Sequence, residues 1–379
     1  MRFFAVQKSE PLAGVQMKFI ESADLKAGMR LARPIYNKKG VLLFERDSRL
    51  NSQSIDSVKN FGLLGVYILE PAEPLPPISE EDLEFEQFQI ATVYSILDEL
   101  EQMISTKKST RLQTLAGTVI KKYGHLDGKI NFYQNLRSKE DYVCRHCLNT
   151  AILCAMITHV MNVRVDEQLL AVQSAIVHDI GKLKTPDEIL FSREDTEAGR
   201  LKVYQDQLAG MDILEEAISG GKNIRRVCTQ AVKIGTDAEN GNQALDSKTP
   251  VAAKILIVAN KYDEMTAMDL QGKSQSEVKA VQEFQQHPEL YDEAVVDALI
   301  RSVNILFPGV SVELNTGDKA LVLSENPSDI LRPTVLTFGD NCIVDLSLKG
   351  NKDLYVVDIM KTMDNRHVMR REIVDNIKL

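Results

Sequence analysis

The chain has 379 residues, enough for two or three domains with separate cores. Apolar residues make up 44% and charged residues 26%, the balance of a globular protein and not of a disordered or fibrous one. With 45 basic and 54 acidic residues the net charge is −9, which argues against general nucleic-acid binding but allows a small anion in a local basic pocket.

In chain order, Met1 to Gln16 lacks the apolar stretch of a secretory signal and reads as an over-called start or a loose extension before Met17. Residues 17–70 read as a small α+β module. Leu31-Ala-Arg-Pro-Ile-Tyr, Gly40-Val-Leu-Leu-Phe and Gly65-Val-Tyr-Ile-Leu are extended runs, and Ser52 to Phe61 is one short helix. Residues 71–78, with Pro71, Pro74, Pro76 and Pro77, form a stiff linker. Residues 79–111 follow as an acidic helix, opened by Ser79 with Asp82 in capping-box position. Leu83, Ile90, Leu97 and Ile104 recur every seven residues, with Val93 and Leu100 in the alternate seam. Over residues 79–105 that pattern offers a homodimer face; the competing reading is a helix docked on its own domain.

Residues 112–306 carry apolar side chains at helical spacing almost throughout, and Gly235 to Thr249 is polar enough to be a loop. After Pro308 the period becomes two, so residues 307–358 predict a short antiparallel β tail, and 359–379 a charged terminal segment. The fold class expected is therefore mainly α, with the small α+β module in front and the β tail behind. No run approaches about 18 uncharged apolar residues, so no membrane span is expected. Five cysteines, an odd number, fit a cytoplasmic location. Cys144, Cys147 and Cys154 are close enough to begin a zinc site, but no second pair follows at ribbon spacing, and buried helical thiols are the simpler reading.

The most informative residues are His178-Asp179-Ile180-Gly181-Lys182. An imidazole followed by a carboxylate offers one metal two ligands of different hardness. His146 lies on one predicted helix, His178 and Asp179 end another, and Asn260 lies within the helix Val251 to Met265. Helices that converge such side chains build a site for iron, manganese or zinc. The metal would polarise a phosphoryl oxygen, and Lys182 would steady the phosphate charge.

Those residues resemble the HD-GYP family, a branch of the HD-domain metal-dependent phosphohydrolases. Tyr142-Val-Cys-Arg-His146 is similar to the family's first-histidine helix, Ala175-Ile-Val-His-Asp-Ile-Gly-Lys to its namesake motif, and Lys254-Ile-Leu-Ile-Val-Ala-Asn-Lys-Tyr-Asp to its last metal helix. The resemblance spans about Tyr142 to Leu346 and implies a helical HD core, a bacterial signalling role and cyclic di-GMP as the substrate class. It also implies departures. The family's His-Pro-x-x-Gly falls on Asp206 and Gln207, its His-His-Glu on Gly235-Thr236-Asp237, its Gly-Tyr-Pro on Gln243-Ala244-Leu245, and its last metal aspartate on Asn260. No histidine lies between His178 and His287.

The expected metal ligands are thus His146, His178 and Asp179, with Asn260 as a weak fourth and Asp206 as a further carboxylate. Asp179 and Lys182 are the expected catalytic residues, and one divalent ion at most is expected. Three readings follow. The first is a degenerate HD-GYP-like signalling domain that binds a nucleotide or a protein partner, with cyclic di-GMP hydrolysis lost or weak. The second is a single-metal phosphohydrolase acting on a nucleotide phosphoester. The third is a scaffold in which His178 and Asp179 only hydrogen-bond in a core. Asp263, one turn past Asn260, is a minor candidate for the missing carboxylate. His125, His159, His287 and His367 read as surface residues, Gly220-Gly221-Lys222 as a helix terminus, and Lys222, Arg225, Arg226 and Lys233 as a solvated basic face or an anion's approach.

Overall fold

The computed structural model describes residues 16–360 apart from 33–34, 37–41, 46–47, 62, 64, 71–79, 133, 135–136, 193, 195, 238–243, 268–273 and 338–341. The expected proline linker, Ser79, Gln243, His367 and the charged tail beyond Met360 lie outside the described residues.

The N-terminal module has its own small core of Leu25, Leu31, Ile35, Leu50, Ile55, Val58, Val66 and Ile68. Strands β1 (Gln16–Glu21), β5 (Gly65–Glu70) and β2 (Arg30–Leu31) form an antiparallel sheet in the order β1-β5-β2, and β3 (Ile35–Tyr36) pairs with β4 (Leu42–Phe44). The run from Leu31 to Tyr36 is thus two strands in two sheets and not one. Pro34 within it can donate no ladder hydrogen bond. Helix α1 (Ser52–Asn60) starts at a capping box between Asn51 and Ser54.

Helix α2 (Glu80–Thr106) turns Val93, Ile96, Leu100 and Met103 fully inward, while Leu83 stays 38% exposed. Ile90 is buried, and Leu97 and Ile104 also pack on the main core. Most of the heptad seam is therefore covered by the helix's own domain. Glu99, wholly buried, accepts hydrogen bonds from the backbone N–H groups of Thr110, Arg111 and Leu112 and from the Ser109 hydroxyl. It thereby caps α3 (Leu112–Tyr123) from a neighbouring helix.

At the centre stands α4 (Tyr142–Val160), apolar on nearly every face and buried almost end to end against α5 (Val165–Val177) and α9 (Val251–Thr266). It is long and apolar enough to cross a membrane, but its burial inside the domain accounts for that composition. Cys144, Cys147 and Cys154 lie within it as buried free thiols, the simpler of the two cysteine readings.

After α5 the chain tightens into a 3-10 turn, Ile180–Lys184, then the single-turn helix α6 (Asp187–Leu190), α7 (Glu197–Ala217) and α8 (Lys222–Asp237). The turn meets α7 backbone to backbone. A Cβ on Gly181 would stand 2.0 Å from the Asp206 carbonyl oxygen, and one on Gly210 would stand 2.6 Å from the Gly181 nitrogen. Gly220, at φ +77°, breaks α7 from α8, so Gly220-Gly221-Lys222 is a helix junction. Helix α8 continues through Gly235 to Asp237, which places the start of the expected loop several residues too early.

Helices α10 (Glu277–Gln286) and α11 (Glu293–Ser302) close the bundle, capped by Ser276 and Asp292. The C-terminal sheet runs β10-β6-β7-β8-β9 and is antiparallel throughout. Its strands are β6 (Ser311–Leu314), β7 (Lys319–Ser324), β8 (Thr334–Thr337), β9 (Ile343–Asp345) and β10 (Val356–Ile359). Val312, Leu314, Ala320, Val322, Val335 and Val356 belong to the same continuous core as the helices. The β tail is thus built onto the bundle and not hung from it.

Candidate metal centre

Four donor atoms meet where α4, α5 and α9 converge. His146 comes from the second turn of α4, His178 from the C-terminal end of α5, Asp179 from the residue that breaks into the 3-10 turn, and Asn260 from α9. Asn260 Oδ1 lies 2.8 Å from both His146 Nε2 and His178 Nε2, and the two Nε2 atoms are 3.2 Å apart. Asp179 Oδ2 stands 3.5 Å from His146 Nε2 and 3.6 Å from His178 Nε2. Donors that hold one ion at ~2.1 Å and ~90–110° stand ~3.0–3.4 Å from one another, so this spacing fits a single cation.

The tautomer pattern fits as well. His146 Nδ1 lies 2.6 Å from Asp263 Oδ2, and His178 Nδ1 lies 2.8 Å from the Ala175 carbonyl oxygen. Both partners only accept, so each neutral imidazole carries its hydrogen on Nδ1 and presents a bare Nε2 lone pair. Asp179 Oδ2 is buried, with the Lys182 ammonium at 2.6 Å as its charge partner. Lone pairs on two nitrogens and on the carboxylate oxygen thus point into one small space. Burial moves His178 down, whereas for His146 the desolvation is outweighed by its hydrogen bond to Asp263, which moves it up. Iron, manganese or zinc would sit on His146, His178, Asp179 and Asn260 and would supply Lewis-acid polarisation of a phosphoryl oxygen.

Lys182 does not project freely toward a substrate. Its ammonium sits 2.6 Å from Asp179 Oδ2, one turn along, at 17% side-chain exposure. Against the cost of burial, Lys182 and the two imidazoles hold the Asp179 carboxyl well below the usual carboxylate range. The other oxygen, Asp179 Oδ1, accepts from the Gln207 amide at 2.7 Å. Sequence reasoning assigned no role to Gln207, and only its position beside Asp206 hinted at one.

Asp206 does not join the cluster. Its oxygens are taken by Lys202 Nζ at 2.5 Å, four residues back on α7, and by Thr185 Oγ1 at 2.9 Å. The expected ligand role is replaced by this local pairing, because α7 turns the side chain toward the end of the 3-10 turn and not toward His146. Asp263 also differs from the minor ligand role considered for it. It stands behind His146, where it accepts from Arg137 Nη2 at 2.8 and 2.9 Å, Asn149 Nδ2 at 2.8 Å and Gln134 Nε2 at 3.0 Å. Such a carboxylate fixes the ring orientation and tautomer of a metal-binding histidine. Asn149 in turn accepts from Gln89 of α2 at 2.5 Å. Arg137 was missed by the sequence reading, since it lies in an irregular stretch before α4 and no motif marks it.

The remaining candidates are surface features. His159 pairs with Asp127 and His287 with Glu289. Arg225 pairs with Asp212 and Glu215, and Arg226 donates to the Lys248 carbonyl.

Residues 143–265 match the family model of the HD domain. This stretch, about a third of the chain, is similar to HD domains. Helices α4 and α5 and the turn that follows bring His146, His178 and Asp179 close enough to hold one ion, and HD domains are metal-dependent phosphohydrolase-like units. Among solved structures the chain is similar to Bd1817, a HDG"Y"P protein from Bdellovibrio bacteriovorus, at 11% sequence identity and a TM-score of 0.42, over 75% of this chain and 98% of that one. No curated protein matches the chain.

Proposed function

We propose that this HD domain is a degenerate HD-GYP-type signalling module that keeps one metal position and binds a nucleotide or a protein partner, with cyclic di-GMP hydrolysis lost or weak. The observation that carries the reading is the state of Asp179. A carboxylate that bridges two ions with one oxygen on each needs both oxygens free. Here Oδ2 faces the imidazoles and Lys182, while Oδ1 is held by Gln207. A second ion would also look for ligands at Asp206, which is engaged by Lys202 and Thr185, and at the last turn of α8, where the family's His-His-Glu falls on Gly235-Thr236-Asp237. In this reading the chain's own residues hold one cation on two neutral imidazoles and a single carboxylate, and Lys182 balances that carboxylate.

A second reading is favoured by Asn260. Turned by 180°, its amide would present Nδ2–H₂ to both Nε2 lone pairs at 2.8 Å and satisfy them without any ion. The core would then be closed by an amide, and the domain would serve as a scaffold.

One experiment separates these readings. Purified protein is analysed for bound iron, manganese and zinc, and for turnover of cyclic di-GMP and an aryl phosphodiester with added manganese. One ion per chain with negligible turnover supports the proposal. Two ions per chain with rapid turnover overturn it. Turnover with one ion that disappears in Asp179→Ala identifies a single-metal phosphohydrolase, and ion-free, inert protein identifies the amide-closed scaffold.

A further inference from the structure

A cavity of about 710 Å³ opens between α2, the end of α3 and the loop that leads from α3 toward α4. None of its lining residues belongs to the metal cluster. Phe85, Phe88 and Tyr123 form one wall as edge-to-face pairs, with ring centroids 5.8 Å apart for Phe85–Tyr123 and 5.1 Å for Phe88–Tyr123. The volume and the aromatic lining are those of a small-molecule site.

Two further observations point to an occupant. The Tyr123 hydroxyl, on a residue only 3% exposed, has no hydrogen-bond partner, which a buried hydroxyl ordinarily finds. Burial, and then the nearby Glu84 carboxylate, push its phenol up, so it stays a donor. The charge of the lining is also reversed relative to the chain. Lys121, Lys122 and Lys129 line the cavity with Glu84 as the acidic member, in a chain of net charge −9. Lys122 pairs with Glu84 and Lys129 with Glu325, while Lys121 has no ion-pair partner among the described residues. Lys121 and Lys122 also sit in the last turn of α3, where the helix dipole favours cations. Lys129 lies outside that helix, so the dipole does not account for the whole rim.

From the orphaned Tyr123 hydroxyl, the aromatic wall and the lysine rim, we infer that this cavity binds a small aromatic anion, a flat ring system that carries a carboxylate, sulfonate or phosphate. The rings of Phe85, Phe88 and Tyr123 take the aromatic body, Tyr123 donates to a polar atom of the ligand, and Lys121 meets the anionic group. The wall helix α2 also carries Gln89, whose amide reaches Asn149 and through it Asp263, so an occupant and the metal centre share one helix.

The test uses 1-anilinonaphthalene-8-sulfonate as the anionic probe and N-phenyl-1-naphthylamine as its neutral counterpart, titrated into the full chain by fluorescence. Saturable binding of one sulfonate per chain is expected. Gly128 lines the cavity and a Cβ there would meet open space, so Gly128→Trp should fill the site without disturbing the fold and weaken the probe by about tenfold or more. Thr118→Trp fills it from α3 and gives the same result should the first variant fail to fold. Lys121→Glu should weaken the sulfonate by about threefold to tenfold and leave the neutral amine unchanged. No saturable binding, or binding that survives both the filling variants and Lys121→Glu, overturns the inference.

Discussion

Two aspartates on helices around the same HD motif have opposite fates. Asp263, on α9, is fully buried and gathers Arg137, Asn149, Gln134 and His146 around its two oxygens. Asp206, on α7, meets one lysine from its own helix and one threonine, and the Lys202 side chain is 43% exposed. By spacing in the chain, Asp206 was the stronger metal candidate and Asp263 the weaker. The difference teaches that a carboxylate's role is set by which donors surround it and how far water is excluded, neither of which one sequence displays.

The largest effect should come from breaking the buried side of that comparison. Asp263→Ala strands the Arg137 guanidinium, itself 4% exposed, and releases His146 Nδ1. Removal of one partner of such a pair costs about 3–5 kcal/mol, to be read from urea unfolding of the metal-free protein. Arg137→Met in the Asp263→Leu background should recover much of the loss, since paired apolar replacement is often tolerated.

Next in size is the metal itself. Asn260→Asp adds the second negative charge that the position lacks, and should tighten manganese or zinc by about tenfold to a hundredfold in calorimetric titration. Unchanged affinity would remove Asn260 from the ligand set and favour the amide-closed core.

An acid titration gives a third test. Asp179 and Asp263 are both held well below the ordinary carboxylate range, Asp179 against burial by Lys182 and Asp263 against burial by Arg137. As pH falls below about 4, the unfolded chain takes up protons that the folded chain refuses. Their contribution is therefore present above that pH and is lost progressively as pH drops through the lower folded values. Unfolding free energy measured against pH should fall steeply on this acid limb, and the slope should be shallower in Asp179→Asn.

The smallest effect is expected for Asp206→Ala. A partly exposed pair of this kind is worth about 0–1 kcal/mol, and metal occupancy should not change. A loss of bound metal in this variant would restore Asp206 as a ligand and reverse the comparison.

Much of the framework was legible because apolar spacing reports directly on which face a segment buries. Val251 to Met265 predicted α9 to within one residue, and the alternating runs after Pro308 gave β6 to β9. His146, His178, Asp179 and Asn260 were legible because the motif spacing carries them, and the structure brings all four together. Strand β10 was missed, since Val356–Ile359 is short and gains its meaning only from pairing with β6 across the sheet. Arg137 and Gln207 were missed for a related reason. Each acts on a residue far away in sequence, Asp263 and Asp179 respectively, and nothing in its local neighbourhood encodes the distant partner.

Gly181 has a consequence beyond its place in the motif. The 3-10 turn and α7 touch through bare backbone there, with no room for even a methyl group. Residue 181 therefore acts as a spacer of zero thickness, and the reach of Gln207 to Asp179 is set by what is missing one turn away. Any larger residue at 181 would lever α7 outward and withdraw the amide from the carboxylate, exposing the very oxygen that a second cation would need.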